Sequence, residues 1–239
     1  MPDKSPVVPA VVYAAHLLLE AVKPFRELPR QVRFEQPDEA LYGRLAEAHE
    51  TALHSPTDAR VAESYAAFVR ETQKQFEAIA SRIEVEPWLA ADQPYANSNA
   101  LFADLRAWHL YFFTGGDLPV DHPLGALSPY TLSGFALTWN HVFRCVHDAI
   151  GHGLYLRGFG PVGEYHAWVT HAQLYSATAL PALANETVMQ SAAFYYGKHS
   201  QVPRPQRPFP AQKAYLPPDD VHQPRPLFAE ELGRPAGGV

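Results

Sequence analysis

The chain has 239 residues and a net charge of -6 at pH 7, with 12 histidines, 23 prolines and a single cysteine. Its basic residues are scattered, which argues against nucleic acid as a partner, and no apolar run approaches the roughly 18 residues of a membrane span. Cys145 cannot form an internal bridge, and the start, Met1 to Pro6, lacks a signal-peptide pattern, so a cytoplasmic protein is expected.

Val8 to Leu28 reads as a first helix, with Leu17, Leu18, Ala21 and Phe25 near helical spacing. Pro37, Asp38 and Glu39 open a second helix that runs to about Leu53, acidic at its start as the helix dipole prefers. Thr57 and Asp58 cap a third that runs to about Ile83, with Tyr65, Phe68, Val69, Phe76 and Ile79 along one face. Trp88 to Asn99 is a polar connection. Ala100 to Arg106 is helical, and Leu110 to Phe113 is a short strand ended by Thr114, Gly115, Gly116 and Asp117. Helices are expected over 133–152, 161–177 and 179–197.

Pro203 to Pro226 is rich in proline and reads as an extended arm, lying over the domain or over a neighbouring subunit. It is the expected contact of a homodimer. Gly233 to Val239 reads as a flexible tail. The sum is a mainly α fold: one helical domain over 1–200 with at most a small sheet, then the arm and tail over 201–239.

The stretch from Trp139 to Gly153 carries His141, His147, Asp148 and His152 in an otherwise apolar helix. Imidazole and carboxylate groups that leave water need partners, and a metal ion is one that histidine serves well. His147 and His152 diverge by about 140° on an ideal helix. The helix must therefore loosen or end between them, and Gly151 and Gly153 stand where that release is needed. The next helix carries Glu164, Trp168, His171 and Tyr175 as a polar stripe within about 60°. Ala167, Ala172 and Leu174 flank it, so it faces inward. Glu186 and Gln190 follow one turn apart among Met189 and Phe194, which makes Glu186 a core carboxylate in need of a cation or of several donors.

Two histidines and one carboxylate with open positions suit non-haem iron(II) and dioxygen. The expected metal ligands are His147, His152 and Glu186. Glu164 and His171 are expected to orient those ligands or to hold a second metal, and Asp148 to accept from a ligand imidazole or to bond Arg144. Tyr175, Gln190 and Trp168 are expected to line the substrate cavity, with Arg144 available to neutralise a substrate carboxylate. His16, His49, His54, His199 and His222 read as core or surface histidines, whereas His109 and His141 remain candidates to lie near the site.

The run His147-Asp148-Ala149-Ile150-Gly151-His152 resembles the His-Asp/Glu-x-x-Gly-His iron motif of the pterin-dependent aromatic amino acid hydroxylases. The resemblance implies one iron held by the two histidines and a downstream glutamate, for which Glu186 stands in a fitting place. It also implies dioxygen and tetrahydropterin as co-substrates and an aromatic substrate. A wider set is similar to a family of bacterial and phage proteins. It includes Pro94-Tyr95, Asn97-Ser98, Asp104-Leu105-Arg106, His122-Pro123-Leu124, Gly163-Glu164, Ala167-Trp168, Tyr175-Ser176 and Gln212-Lys213. That resemblance adds Glu164, His171 and Glu186 as site residues and implies no activity. The His147-Asp148 pair is also similar to the signature of HD-domain proteins, all-helical metal phosphohydrolases with some diiron oxygenases among them. His122 would be the earlier histidine of that signature. A glutamate would have to serve as its later aspartate, because Asp219 and Asp220 lie in the arm.

The chain is thus expected to be a soluble iron-dependent oxidoreductase, a monooxygenase or hydroxylase acting on a small organic, aromatic or amino-acid-like molecule. The alternatives are a metal-dependent hydrolase and a diiron oxygenase.

Overall fold

The computed structural model describes residues 32–33, 37, 39–219 and 228–229. The expected first helix, Asp38, the end of the proline-rich arm and the flexible tail lie outside the described residues, apart from the pair at 228–229. Helix α1 spans Glu39–Thr51. Helix α2 spans Ala59–Ala80 and begins where the Asp58 carboxylate accepts from the N–H groups of Arg60 and Val61, a cap that stabilises by about 1 kcal/mol. Helix α3 spans Ser98–Arg106, capped by Asn97.

The fold is mixed α/β, about 51% helical and 11% strand, which corrects the expectation of a mainly α chain. Strand β1, Val32–Arg33, pairs briefly with β6, Phe228–Ala229. Strand β2, Glu84–Trp88, lies parallel to β3, His109–Phe113, in a register that sets Val85 opposite Leu110. Leu110 and Phe112 point into the core from β3. Strand β4, Leu127–Leu132, and strand β5, Phe135–Thr138, form a hairpin. Its turn residues Ser133 and Gly134 both have positive φ, 49° and 80°, as a tight two-residue turn that matches strand twist requires. Residues 133–138 were expected to be helical and instead belong to this hairpin.

Helix α4, Trp139–Val146, starts only at Thr138, whose hydroxyl accepts from the His141 N–H while His141 Nδ1 accepts from the Thr138 N–H. Helix α5 spans Pro161–Ala172. Helices α6, Leu180–Ala184, and α7, Gln190–Tyr196, are joined by a π-helical stretch, Asn185–Met189. The long α2 packs against α4 and α6, and α1 packs against α7. Phe68 of α2 sits at the centre, fully buried between Phe143 and Tyr175. Among the described residues no helix is long and apolar enough to cross a membrane.

Candidate metal centre

Past Val146 the α4 helix widens. From His147 to His152 the backbone winds as a π-helical turn, in which residues five apart stack instead of diverging. The release that the spacing requires is this wider turn, and it brings the two imidazoles to 4.9 Å between centroids, at 80° to each other. Gly151 leaves room for it. A Cβ at that position would lie 2.9 Å from His147 Nδ1 and 3.3 Å from Ala167 O, so a side chain would push either the imidazole or α5 away.

Glu164 enters from α5, which packs against the widened turn. Its position depends on the loop before it: Gly163 has no Cβ to strike the Gly158 carbonyl, which would be 1.9 Å away. Glu164 Oε2 lies 3.4 Å from His152 Nε2 and 3.9 Å from His147 Nε2. One ligand atom from each of the three residues lies within 4.8 Å of the others. Among the described residues this is the His/Cys/Asp/Glu group that meets the condition. Three donors bonded to one ion at about 2.1 Å stand about 3.0–3.4 Å apart, so the His152–Glu164 pair, at 3.4 Å, already stands at a ligating distance, whereas His147, at 3.9 Å from Glu164, must draw closer.

The ring of His152 is held from behind. Its Nδ1 is 2.9 Å from Arg157 O, and Arg157 N–H returns a bond of 2.8 Å to His152 O. That aims His152 Nε2 at Glu164. Phe159 meets the same ring edge-on at 5.0 Å, and Phe143 lies 5.6 Å from the His147 ring. Side-chain exposures are 3% for His152, 13% for His147 and 21% for Glu164, so the group is largely buried and touches solvent mainly through Glu164.

Comparison with protein-family models, curated proteins and solved structures returns no match. The chemistry of the site is therefore argued from this chain's own geometry.

Charges in the group are coupled. Burial alone would lower the pKa of His152, but the Glu164 carboxylate, aided by Asp148, outweighs it and holds the imidazole up at about 9. Burial would raise Glu164, but His152 first and then His147 hold its carboxyl well below the usual range. Without a metal, the site is thus an imidazolium–carboxylate pair. Asp148 lies half-buried beside it, its carboxyl pushed up by burial against the opposing pull of His152 and His147. His171 is fully buried, and burial followed by the two neighbouring histidines drives its pKa well down, so it is neutral.

The remaining expected site residues divide. His171 joins the group from behind, its Nδ1 3.3 Å from His147 Nδ1 and its Nε2 3.1 Å from Gln75 Oε1. Tyr175 packs edge-on against His171, with its hydroxyl 2.7 Å from Thr72 Oγ1. Glu186 is engaged in a second cluster. It accepts from the Tyr65 hydroxyl and, at 3.2 Å, from Gln190 Nε2, and His122 Nε2 faces it at 3.3 Å. Tyr65 and Gln190 are its hydrogen-bond donors, and it is not among the three grouped side chains. Gln190 thereby serves Glu186, and Trp168 is buried beside Tyr165. Arg144 donates to the carbonyls of Phe113, at 2.9 Å, and Gly115. His141 is taken up by the α4 cap and Thr114 O, and His109 by Asp104.

Gln75 is the site neighbour that sequence reading missed. Its signal was present: Phe68, Thr72, Gln75 and Ile79 form one buried stripe of α2, and an amide in such a stripe needs a partner.

Proposed function

We propose that the chain is a non-haem iron(II) oxygenase that acts on a small organic substrate, with the ion held by His147, His152 and Glu164. One observation carries the reading: two imidazoles and one carboxylate converge, with a ligand atom from each within 4.8 Å of the others, in a largely buried group that touches solvent through Glu164. A two-histidine, one-carboxylate set leaves coordination positions free and suits iron(II) with dioxygen. A single ion fits better than two, because both nitrogens of His171 are engaged and each Glu186 oxygen already accepts a hydrogen bond, from Tyr65 and Gln190. His122, the earlier histidine of an HD signature, faces Glu186, so this geometry supports the oxygenase over the HD phosphohydrolase.

Bound iron would supply the activation of dioxygen. The chain supplies the rest. Arg157 O fixes the His152 ring, Phe143 and Phe159 keep water from the imidazole flanks, and the exposed side of Glu164 admits the substrate.

The test is anaerobic loading with Fe(II), followed by nitric oxide as a stand-in for dioxygen. The expected result is one iron per chain and the electron paramagnetic resonance signal of an iron nitrosyl. His147→Ala and Glu164→Ala should lose the metal, whereas Glu186→Ala should keep it and lose thermal stability. Tight zinc with no nitrosyl-forming iron state would replace the oxygenase with a hydrolase, since two histidines and a glutamate also hold catalytic zinc. Metal retained in Glu164→Ala and lost in a folded Glu186→Ala would overturn the ligand set.

A further inference from the structure

Gln75 is 3% exposed, on the face of α2 turned to the core. Its amide nitrogen faces the Leu174 carbonyl at 3.5 Å. A backbone carbonyl only accepts, so the nitrogen belongs on that side and the amide oxygen on the other. That oxygen lies 3.1 Å from His171 Nε2. It too can only accept, so His171 Nε2 carries a hydrogen.

His171 is fully buried, its ring parallel to that of Phe143 at 6.0 Å and edge-on to that of Tyr175 at 5.0 Å. A neutral imidazole has one N–H, so with Nε2 protonated the Nδ1 atom of His171 is bare and accepts. What faces it, at 3.3 Å, is His147 Nδ1, which must then donate. His147 Nε2 is left with its lone pair, on the side of the ring that faces Glu164. With Gln75 turned over, every step reverses: His147 would present an Nε2–H and could not ligate.

From this chain of bonds we infer that Gln75 is a positioning residue for the metal centre: it acts through His171 to keep His147 Nε2 free for the ion. The inference rests on the reading of His147 as a ligand. Metal-ligating histidines are oriented by the partner of their other nitrogen, and loss of such a partner weakens metal binding by about tenfold to a hundredfold.

Two measurements test it. The first uses wild-type metal-free protein labelled with nitrogen-15 histidine, at mildly alkaline pH, with His147→Gln and His171→Gln to assign the ring signals. His147 is expected as the Nδ1–H form and His171 as the Nε2–H form. His147 found as the Nε2–H form overturns the inference without reference to any metal.

The second measures Co(II) affinity. Gln75→Leu should bind Co(II) about tenfold to a hundredfold more weakly than wild type. A folded Gln75→Leu with wild-type affinity overturns it. Wild-type protein with no affinity for Co(II) overturns the metal reading and this inference together, and so separates that failure from a wrong tautomer.

Discussion

His152, 3.4 Å from the Glu164 carboxylate, holds a proton that a bound metal would have to displace. His152 is held up at about 9, so below that pH each ion bound releases a proton. Apparent affinity for Co(II) should therefore rise with pH toward about 9 and level off above it. The metal-free protein should show the converse in thermal melts. A histidine raised above its ordinary 6.5 stabilises fully below 6.5 and loses that contribution as pH climbs through about 9. Glu164, pulled below its ordinary 4.5, stabilises above 4.5 and loses its contribution as pH falls. The pair should thus help most between 4.5 and 6.5, and Glu164→Gln should flatten the alkaline arm of the melting profile. Co(II) affinity that stays flat from 6.5 to 9 would refute the imidazolium–carboxylate pair. At this scale the sequence was legible for His147 and His152, whose spacing contains its own breaker. The carboxylate that lies with them is Glu164, where Glu186 was expected. Glu186 looked like an unpartnered core acid because Tyr65, which donates to it, and His122, which faces it, come from distant parts of the chain.

Helix α4 carries two local devices that can be separated by experiment. Its N-terminus depends on the Thr138–His141 capping box, and its widened end depends on the bare Cα of Gly151. Thr138→Ala should cost about 1 kcal/mol of stability and leave Co(II) affinity as it was. Gly151→Ala should do the reverse: it forces a contact of 2.9 Å on His147 Nδ1, and a displaced ligand ring should weaken Co(II) by about tenfold or more. Equal affinity losses in the two variants would show that the widened turn has no special part in ligation. Helices were readable because their apolar faces repeat locally, as on α2. The strands were harder. Val85 is stabilised by Leu110 across a parallel pairing that no local pattern announces, and Pro87 interrupts the run. The hairpin did leave a trace, the Ser133-Gly134 pair suited to a tight turn, but it lay inside what reads as the start of a helix.

Across the whole molecule, the segment after α7 ties together elements that lie far apart in the chain. The Lys213 ammonium donates to the carbonyls of His49, Glu50 and Ala52, at 2.9, 3.1 and 2.9 Å, where the C-terminal end of α1 leaves carbonyls unpaired. Lys213 O accepts from Asn185 Nδ2, which also donates to the Tyr65 hydroxyl, and Tyr65 donates to Glu186. Ser55 N–H bonds Ala214 O at 2.7 Å, Ala214 N–H bonds His54 Nδ1 at 2.8 Å, and His49 Nδ1 lies 2.9 Å from the Tyr215 hydroxyl. Glu186 is in this sense a hub of the frame, where α2, the loop carrying His122 and the π-helical stretch after α6 meet. It explains why a buried carboxylate can sit in the core without joining the His147, His152 and Glu164 group. Lys213→Met keeps the stem and removes the cation at the helix end, where such charge is worth about 1–2 kcal/mol. For a chain of this size that amounts to a fall in Tm of about 2–8 °C. Co(II) affinity should not change, because Lys213 touches no ligand of the proposed site. If Lys213→Met instead reduced Co(II) binding as much as Glu164→Ala at a temperature where it remains folded, frame and site would be one coupled unit, and the assignment of Glu186 to the frame alone would fail.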